Sequence, residues 1–205
     1  MTLPPCYSWY PIGEQLRIPF EAPQGRRVNA IGAYFKEGPN AGRFDFETYA
    51  TLPKSKAKKQ RKTKEEQAAA YGLTAEQVGP IDSARFLAFV WKVAGRAPIF
   101  GEGWKRERPL MIKVDNYSVH KSELVRAELA ALEAADVFVV YLPSYSPELS
   151  DMEPVWHDTK HHRMQKRSHD KVADLKTAVD GALTQKAAQL RQTSSKTTNS
   201  IQRAA

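Results

Sequence analysis

Two short apolar runs, residues 110–114 and 137–142, leave a chain of this kind few ways to fold. Between them, Leu124, Val125, Leu129 and Leu132 recur at helical spacing within residues 122–134, which predicts an amphipathic helix. A strand, a helix and a strand joined by short links close as a right-handed crossover with the strands parallel. Each run empties toward a carboxylate. Asp115 and Asn116 follow the first run directly; Glu153 follows the second, beyond a loop pinned by Pro143 and Pro147. Open α/β sheets place their sites at the carboxyl ends of such strands. Two carboxylates held there by separate elements suit a hard divalent cation such as Mg²⁺ or Mn²⁺.

The chain before these runs reads differently. Residues 7–50 are strand-like: 15–20 and 43–49 alternate, and 28–35 is a longer β-type run. Gly38-Pro-Asn-Ala-Gly42 is a dense turn signal, so the last two runs predict an antiparallel hairpin. Residues 54–64 then carry seven Lys or Arg and no acid. That stretch is either a solvated, mobile insertion or a loop that touches phosphates. A short helix over 65–70 follows. Residues 82–93 predict another, capped by Asp82 or Ser83, with Phe86, Leu87, Phe89 and Val90 as its core face. Residues 95–109 form a loop.

Beyond the second apolar run, a helix is expected from about 150 to 167. A further amphipathic helix over 171–190 rests on Val172, Leu175, Val179 and Leu183. Residues 191–205 have no core face and are expected to lack fixed structure. A hairpin beside parallel βαβ units makes the class α/β with a mixed sheet flanked by helices.

Length and charge narrow the function. At 205 residues one domain with a real core is expected. The balance of 31 basic against 23 acidic residues, a net charge of +8, favours a polyanionic partner. No apolar run approaches the ~20 residues of a membrane span, and no signal-peptide pattern opens the chain. Cys6 stands alone, which excludes a disulfide framework and points to a reducing compartment.

Each candidate site residue also has a plain structural reading. Ser150-x-x-Glu153 fits a helix capping box, and Asp115 suits a strand-to-loop corner. His120 is either an orienting group for a phosphate or a ligand carboxylate, or a surface histidine. His157 and His161, four apart, have metal-ligand spacing, but no third ligand stands at a helpful distance in sequence. They fit better in the basic stretch 157–171, facing nucleic acid or water. Tyr145 and Trp156 are read as packing residues, and Glu148 and Asp151 as solvated acids.

Taken together, Asp115-Asn-Tyr-Ser-Val-His120, Leu142-Pro-Ser-Tyr-Ser-Pro147 and Glu153-Pro-Val-Trp156 resemble the catalytic half of mariner-type insertion-sequence transposases of the DDE superfamily. Trp9-Tyr-Pro-x-Gly13 and Arg27-Val-Asn-Ala-Ile-Gly-Ala33 resemble that family's early strands, and Ser150-Asp151-Met152 is where the match is loosest. The resemblance implies an RNase H-like fold over residues 1–167, interrupted by a basic insertion at about 52–80, with a helix at 168–190 and a tail at 191–205. It implies Asp115 and Glu153 as catalytic metal ligands supported by Asn116 and His120. In such sites carboxylates hold two divalent ions, Mg²⁺ or Mn²⁺, for cleavage and strand transfer of DNA.

The resemblance also implies a first Asp just upstream of Cys6-Tyr-Ser-Trp-Tyr10, where residues 1–6 hold no acid. Asp45 and Asp82 are poor substitutes. The expectation is therefore a catalytic fragment lacking its first strand and inactive alone. Its expected partners are transposon-end and target DNA, an upstream-frame polypeptide and a second copy, in the bacterial cytoplasm near the nucleoid, with no membrane. DNA contacts are expected from Lys54, Lys56, Lys58, Lys59, Arg61, Lys62, Lys160, Arg163, Lys166 and Arg167. Two alternatives are a basic DNA-binding relic without catalysis and an RNase H-like nuclease without strand transfer.

Overall fold

The hairpin forms where the turn chemistry places it. Strand β1 (Arg27–Tyr34) pairs antiparallel with β2 (Phe44–Thr51), in register from Arg27 opposite Thr51 to Tyr34 opposite Phe44. Gly38 and Gly42 both take positive φ in the connection, a conformation that costs a side-chain-bearing residue about 1–2 kcal/mol. The computed structural model describes residues 27–52, 63–96, 103–144, 146–164 and 169–203. The strand expected over 15–20 lies outside these residues, as do Lys54, Lys56, Lys58, Lys59, Arg61, Lys62, Tyr145, Lys166 and Arg167.

The chain divides into two compact units. One takes in the segments up to Pro80 and from Pro154 onward; the other is Ile81–Glu153. Among the described residues each holds one two-stranded sheet, β1–β2 in the first and a parallel pair in the second. Both kinds of pairing expected of a mixed α/β class are thus present.

In the first unit, helix α1 (Lys64–Ala69) starts at a capping box. The Glu66 N–H donates to Thr63 Oγ1 at 3.2 Å, and the Thr63 N–H donates to Glu66 Oε2 at 3.0 Å. Ala68, Leu73 and Val78 are buried with Ala50 of β2 and Val172. Residues 63–80 thus add Ala68, Leu73 and Val78 to the core of this unit, because their apolar side chains have a strand to cover.

The last helix, α5 (Val172–Arg203), packs on β2 and β1 and buries Val172, Val179, Ala182 and Leu183. Its backbone continues past Leu190, where the apolar pattern stops. Residues 191–203 contain no Gly or Pro, and extending an existing helix needs no new nucleus. Near its end α5 crosses the hairpin turn closely. A Cβ on Gly42 (φ +85) would lie 2.5 Å from Ser194 Cβ and 2.9 Å from the Leu190 carbonyl oxygen. Gly42→Ala is expected to lower stability by about 2–3 kcal/mol, from strain plus overpacking, read as a drop in the thermal unfolding midpoint. Trp156 packs as expected: its ring meets Phe44 edge-on at 6.0 Å between centroids, above Gly32.

The second unit holds α2 (Ser83–Ala94), β3 (Leu110–Val114), α3 (Glu123–Ala134) and β4 (Val137–Tyr141). Asp82 caps α2 by accepting the Arg85 N–H at 2.9 Å, and Gly95 closes it in a left-handed conformation. Ser122 caps α3. Strands β3 and β4 run parallel, Leu110 opposite Val137 through Val114 opposite Tyr141. One expectation fails on α3. Val125 and Leu132 are buried, but Leu124 is exposed. The buried stripe runs i, i+4, i+7 from Val125, which turns the preceding residue about 100° away.

Helix α4 (Glu153–Asp158) is shorter than the helix expected over 150–167. A 3₁₀ turn, Pro147–Leu149, precedes it, and a π turn, Thr159–Arg163, follows it. The π turn is anchored to α5. Arg163 Nε–H donates to Asp158 Oδ2 at 2.8 Å, and Lys186 Nζ sits 3.0 Å from the same oxygen. Burial pushes the Asp158 carboxyl up, but the hydrogen bonds and charges of Arg163 and Lys186 outweigh it and hold it below its ordinary value. A carboxylate favoured by the fold stabilises fully above the ordinary carboxylate range and loses that contribution as pH falls through its lowered value. Asp158→Asn is therefore expected to lose about 1–2 kcal/mol near neutral pH. The gap between variant and wild type should close below about pH 4 in melts taken across pH.

Candidate active site

Strand β3 ends at Val114, and the next residue turns the chain. The Tyr117 N–H donates to Asp115 Oδ1 at 3.0 Å, the local turn that Asp forms readily. His120, on the 3₁₀ turn Ser118–Lys121, places Nδ1 2.8 Å from the same Oδ1 and 3.3 Å from the Asp115 carbonyl oxygen. Both neighbours are acceptors, so Nδ1 carries the hydrogen and donates. Asp115 Oδ1 is thus occupied twice. Its Oδ2 has no hydrogen-bond or ion-pair partner among the described residues, and the side chain is 67% exposed.

His120 itself is held firmly, with only 18% of its side chain exposed. The Phe86 ring lies 4.3 Å from its ring centroid, and Tyr117 meets it edge-on at 5.9 Å. Tyr141 O–H donates to the His120 carbonyl oxygen at 2.7 Å, tying the end of β4 to this turn. The Asn116 side-chain amide donates to the Leu142 carbonyl, while the Leu142 N–H donates to Val114 O at 2.9 Å. Asn116 thus extends the strand pairing by one step and keeps the two strand exits side by side. Phe86 and Tyr141 were not singled out from the sequence. Their only signal was an apolar helix face and a strand-terminal aromatic, which says nothing of partners.

Glu153 opens α4. Its N–H donates to the Ser150 carbonyl oxygen at 3.1 Å, and its side chain is exposed. The capping box with Ser150 does not form, and among the described residues no hydrogen bond or ion pair engages the Glu153 carboxylate. The structure brings Asp115, Asn116 and His120 together; no hydrogen bond joins Glu153 to them among the described residues. Asp82 is spent on capping α2. Asp45 is spent on Arg43, with 3.0 Å from Nε to Oδ1 and 2.6 Å from NH2 to Oδ2.

Asp115 and Glu153 each offer an exposed carboxylate, the kind of hard oxygen ligand that a divalent ion takes. Among the described residues no group of three or more His, Cys, Asp or Glu is arranged to hold a metal. Of the expected DNA contacts that are described, Lys160 is half-buried. The Arg163 side chain is only 19% exposed, and its guanidinium donates to Asp158 and Gln189. No described helix is long and apolar enough to cross a membrane.

Comparison with curated proteins finds no match. Comparison with protein families matches residues 68–176, more than half of the chain, to the DDE superfamily endonuclease domain. That stretch contains β3, β4, Asp115, His120 and Glu153, and with this match the chain belongs to the DDE superfamily of endonucleases.

Proposed function

We propose that this chain is the catalytic part of a transposase, cleaving DNA phosphodiesters and transferring strands with divalent metal, and that Asp115 and Glu153 are two of its metal ligands. The observation that carries the reading is the division of labour at Asp115. One carboxylate oxygen is fixed by Tyr117 and His120, and the other points to solvent at a strand exit. A ligand carboxylate is normally oriented in this way, through hydrogen bonds from neighbours to its non-ligating side. Mg²⁺ or Mn²⁺ bound there would polarise the scissile phosphate and activate the attacking oxygen. The protein's own share is to aim Asp115, to hold the two strand exits together through Asn116, and to present Glu153 from a helix start.

We further propose that the third carboxylate comes from outside this set and that the chain alone does not turn over. Asp45 and Asp82, the other acids considered, are committed to Arg43 and to the α2 cap. Supercoiled plasmid incubated with purified chain and Mn²⁺ is expected to stay intact, while Mn²⁺ itself binds in the weak range of a two-carboxylate site. Nicking that disappears in Asp115→Ala would overturn the inactivity and leave the ligand assignment standing. Mn²⁺ binding unchanged in both Asp115→Asn and Glu153→Gln would overturn the assignment itself.

A further inference from the structure

The π turn does something a regular helix cannot. The Met164 N–H donates to the Thr159 carbonyl oxygen at 3.1 Å, a five-residue step. An α-helix makes neighbours of residues three and four apart, not five. Here the His157 ring faces both His161, at 4.5 Å between centroids, and His162, at 6.0 Å. Lys160 belongs to the same turn. His157 and His162 are exposed, His161 and Lys160 half-buried.

Among the described residues no ion pair joins a carboxylate to this cluster. Asp158, the acid beside it in sequence, is held by Arg163 and by Lys186 from α5. Gln189, also on α5, accepts from Arg163 and Lys186. The groups packed against the turn from α5 therefore satisfy one another, while His157 and His162 stay exposed. Partial burial, then the charges of His157, Lys160 and His162, hold His161 below its ordinary value. An anion placed among these rings would oppose the repulsion that bears on His161.

We propose that His157, Lys160, His161 and His162 form a proton-dependent grip for the phosphodiester backbone of nucleic acid. This rests on the reading of the chain as a DNA-processing enzyme, but not on the metal ligands. Each imidazolium that neutralises a phosphate releases a counterion, so proton uptake should appear as a steeper salt dependence. The grip gives affinity without sequence preference.

The test is fluorescence anisotropy of a short duplex, with EDTA present throughout, for wild type and a His157→Gln/His161→Gln/His162→Gln variant. Between about pH 7.5 and about pH 5.5, wild-type affinity is expected to rise about tenfold more than that of the variant, with a salt slope steeper by about one to two. A His157→Gln/His162→Gln variant, altering exposed rings alone, guards against misfolding and should lose most of the effect. Equal pH dependence in all three proteins overturns the grip while leaving the Asp115 and Glu153 reading intact. If inorganic phosphate shifts the histidine resonances but the duplex does not, the anion is free phosphate and the nucleic-acid assignment falls. Failed Mn²⁺ binding at Asp115, with the pH effect retained, sinks the metal reading and spares this one.

Discussion

Asp115→Asn is expected to weaken Mn²⁺ binding by at least about a hundredfold while leaving the thermal unfolding midpoint nearly unchanged. Asparagine keeps an oxygen in the position of Oδ1, so the turn that accepts the Tyr117 N–H survives. What it loses is the anionic charge and the open oxygen that a hard cation requires. The two readings of Asp115 separate cleanly here. A residue present only to turn the chain tolerates Asn at both readouts, whereas a ligand fails at one. His120→Gln should fall between them, weakening metal binding by about 10–100-fold, the usual effect of removing a group that orients a ligand. Isothermal titration or Mn²⁺ resonance on the folded proteins reads both.

Asp180→Ala is expected to cost about 3 kcal/mol, which for a chain of this size lowers the unfolding midpoint by about 6–12 °C. Lys176 is only 8% exposed, yet it lies on the face of α5 that packs on β2. Its Nζ donates to Thr48 Oγ1 and to Asp180 Oδ2, each at 2.8 Å, and the Thr48 hydroxyl donates to Asp180 Oδ1. The triangle is closed. Removing Asp180, whose own side chain is 38% exposed, leaves the buried Lys176 ammonium with a single neutral acceptor, and an uncompensated buried charge is costly. Replacing all three members together, by Thr48→Val, Lys176→Met and Asp180→Leu, should recover most of the loss. A buried pair exchanged for apolar groups of similar volume is often neutral. If the single and triple variants melt alike, the charge has no part in the effect.

Local features were legible in the sequence because their causes are local. The hairpin turn at 38–42, the Asp82 cap, the short α1 helix and the alternation of strand and helix each depend on a few adjacent residues. So did the placing of Asp115 and Glu153 at a strand exit and a helix start. Misreadings came where local pattern and tertiary partner diverge. Leu124 scored as core by spacing, but the face that α3 turns inward begins one residue later. Arg163 was expected at DNA from its place in a basic stretch, and only the packing of α5 shows Gln189 as a partner for it. Nothing near residues 63–80 in sequence shows that Ala68, Leu73 and Val78 meet Ala50 and Val172.

By itself, then, the sequence determined the elements, their order and the acids offered at their ends, since periodicity, caps and turns act over a handful of residues. Only the tertiary structure decided which oxygen of Asp115 is engaged and which stands open, and that Phe86 and Tyr141 hold the histidine that engages it. It alone decided that a π turn sets His162 beside His157. The hold of Phe86 and Tyr141 on His120 depends on residues far apart in the chain, and the pairing of His162 with His157 on a helix leaving its regular hydrogen-bond step. No spacing rule read along the chain encodes either one.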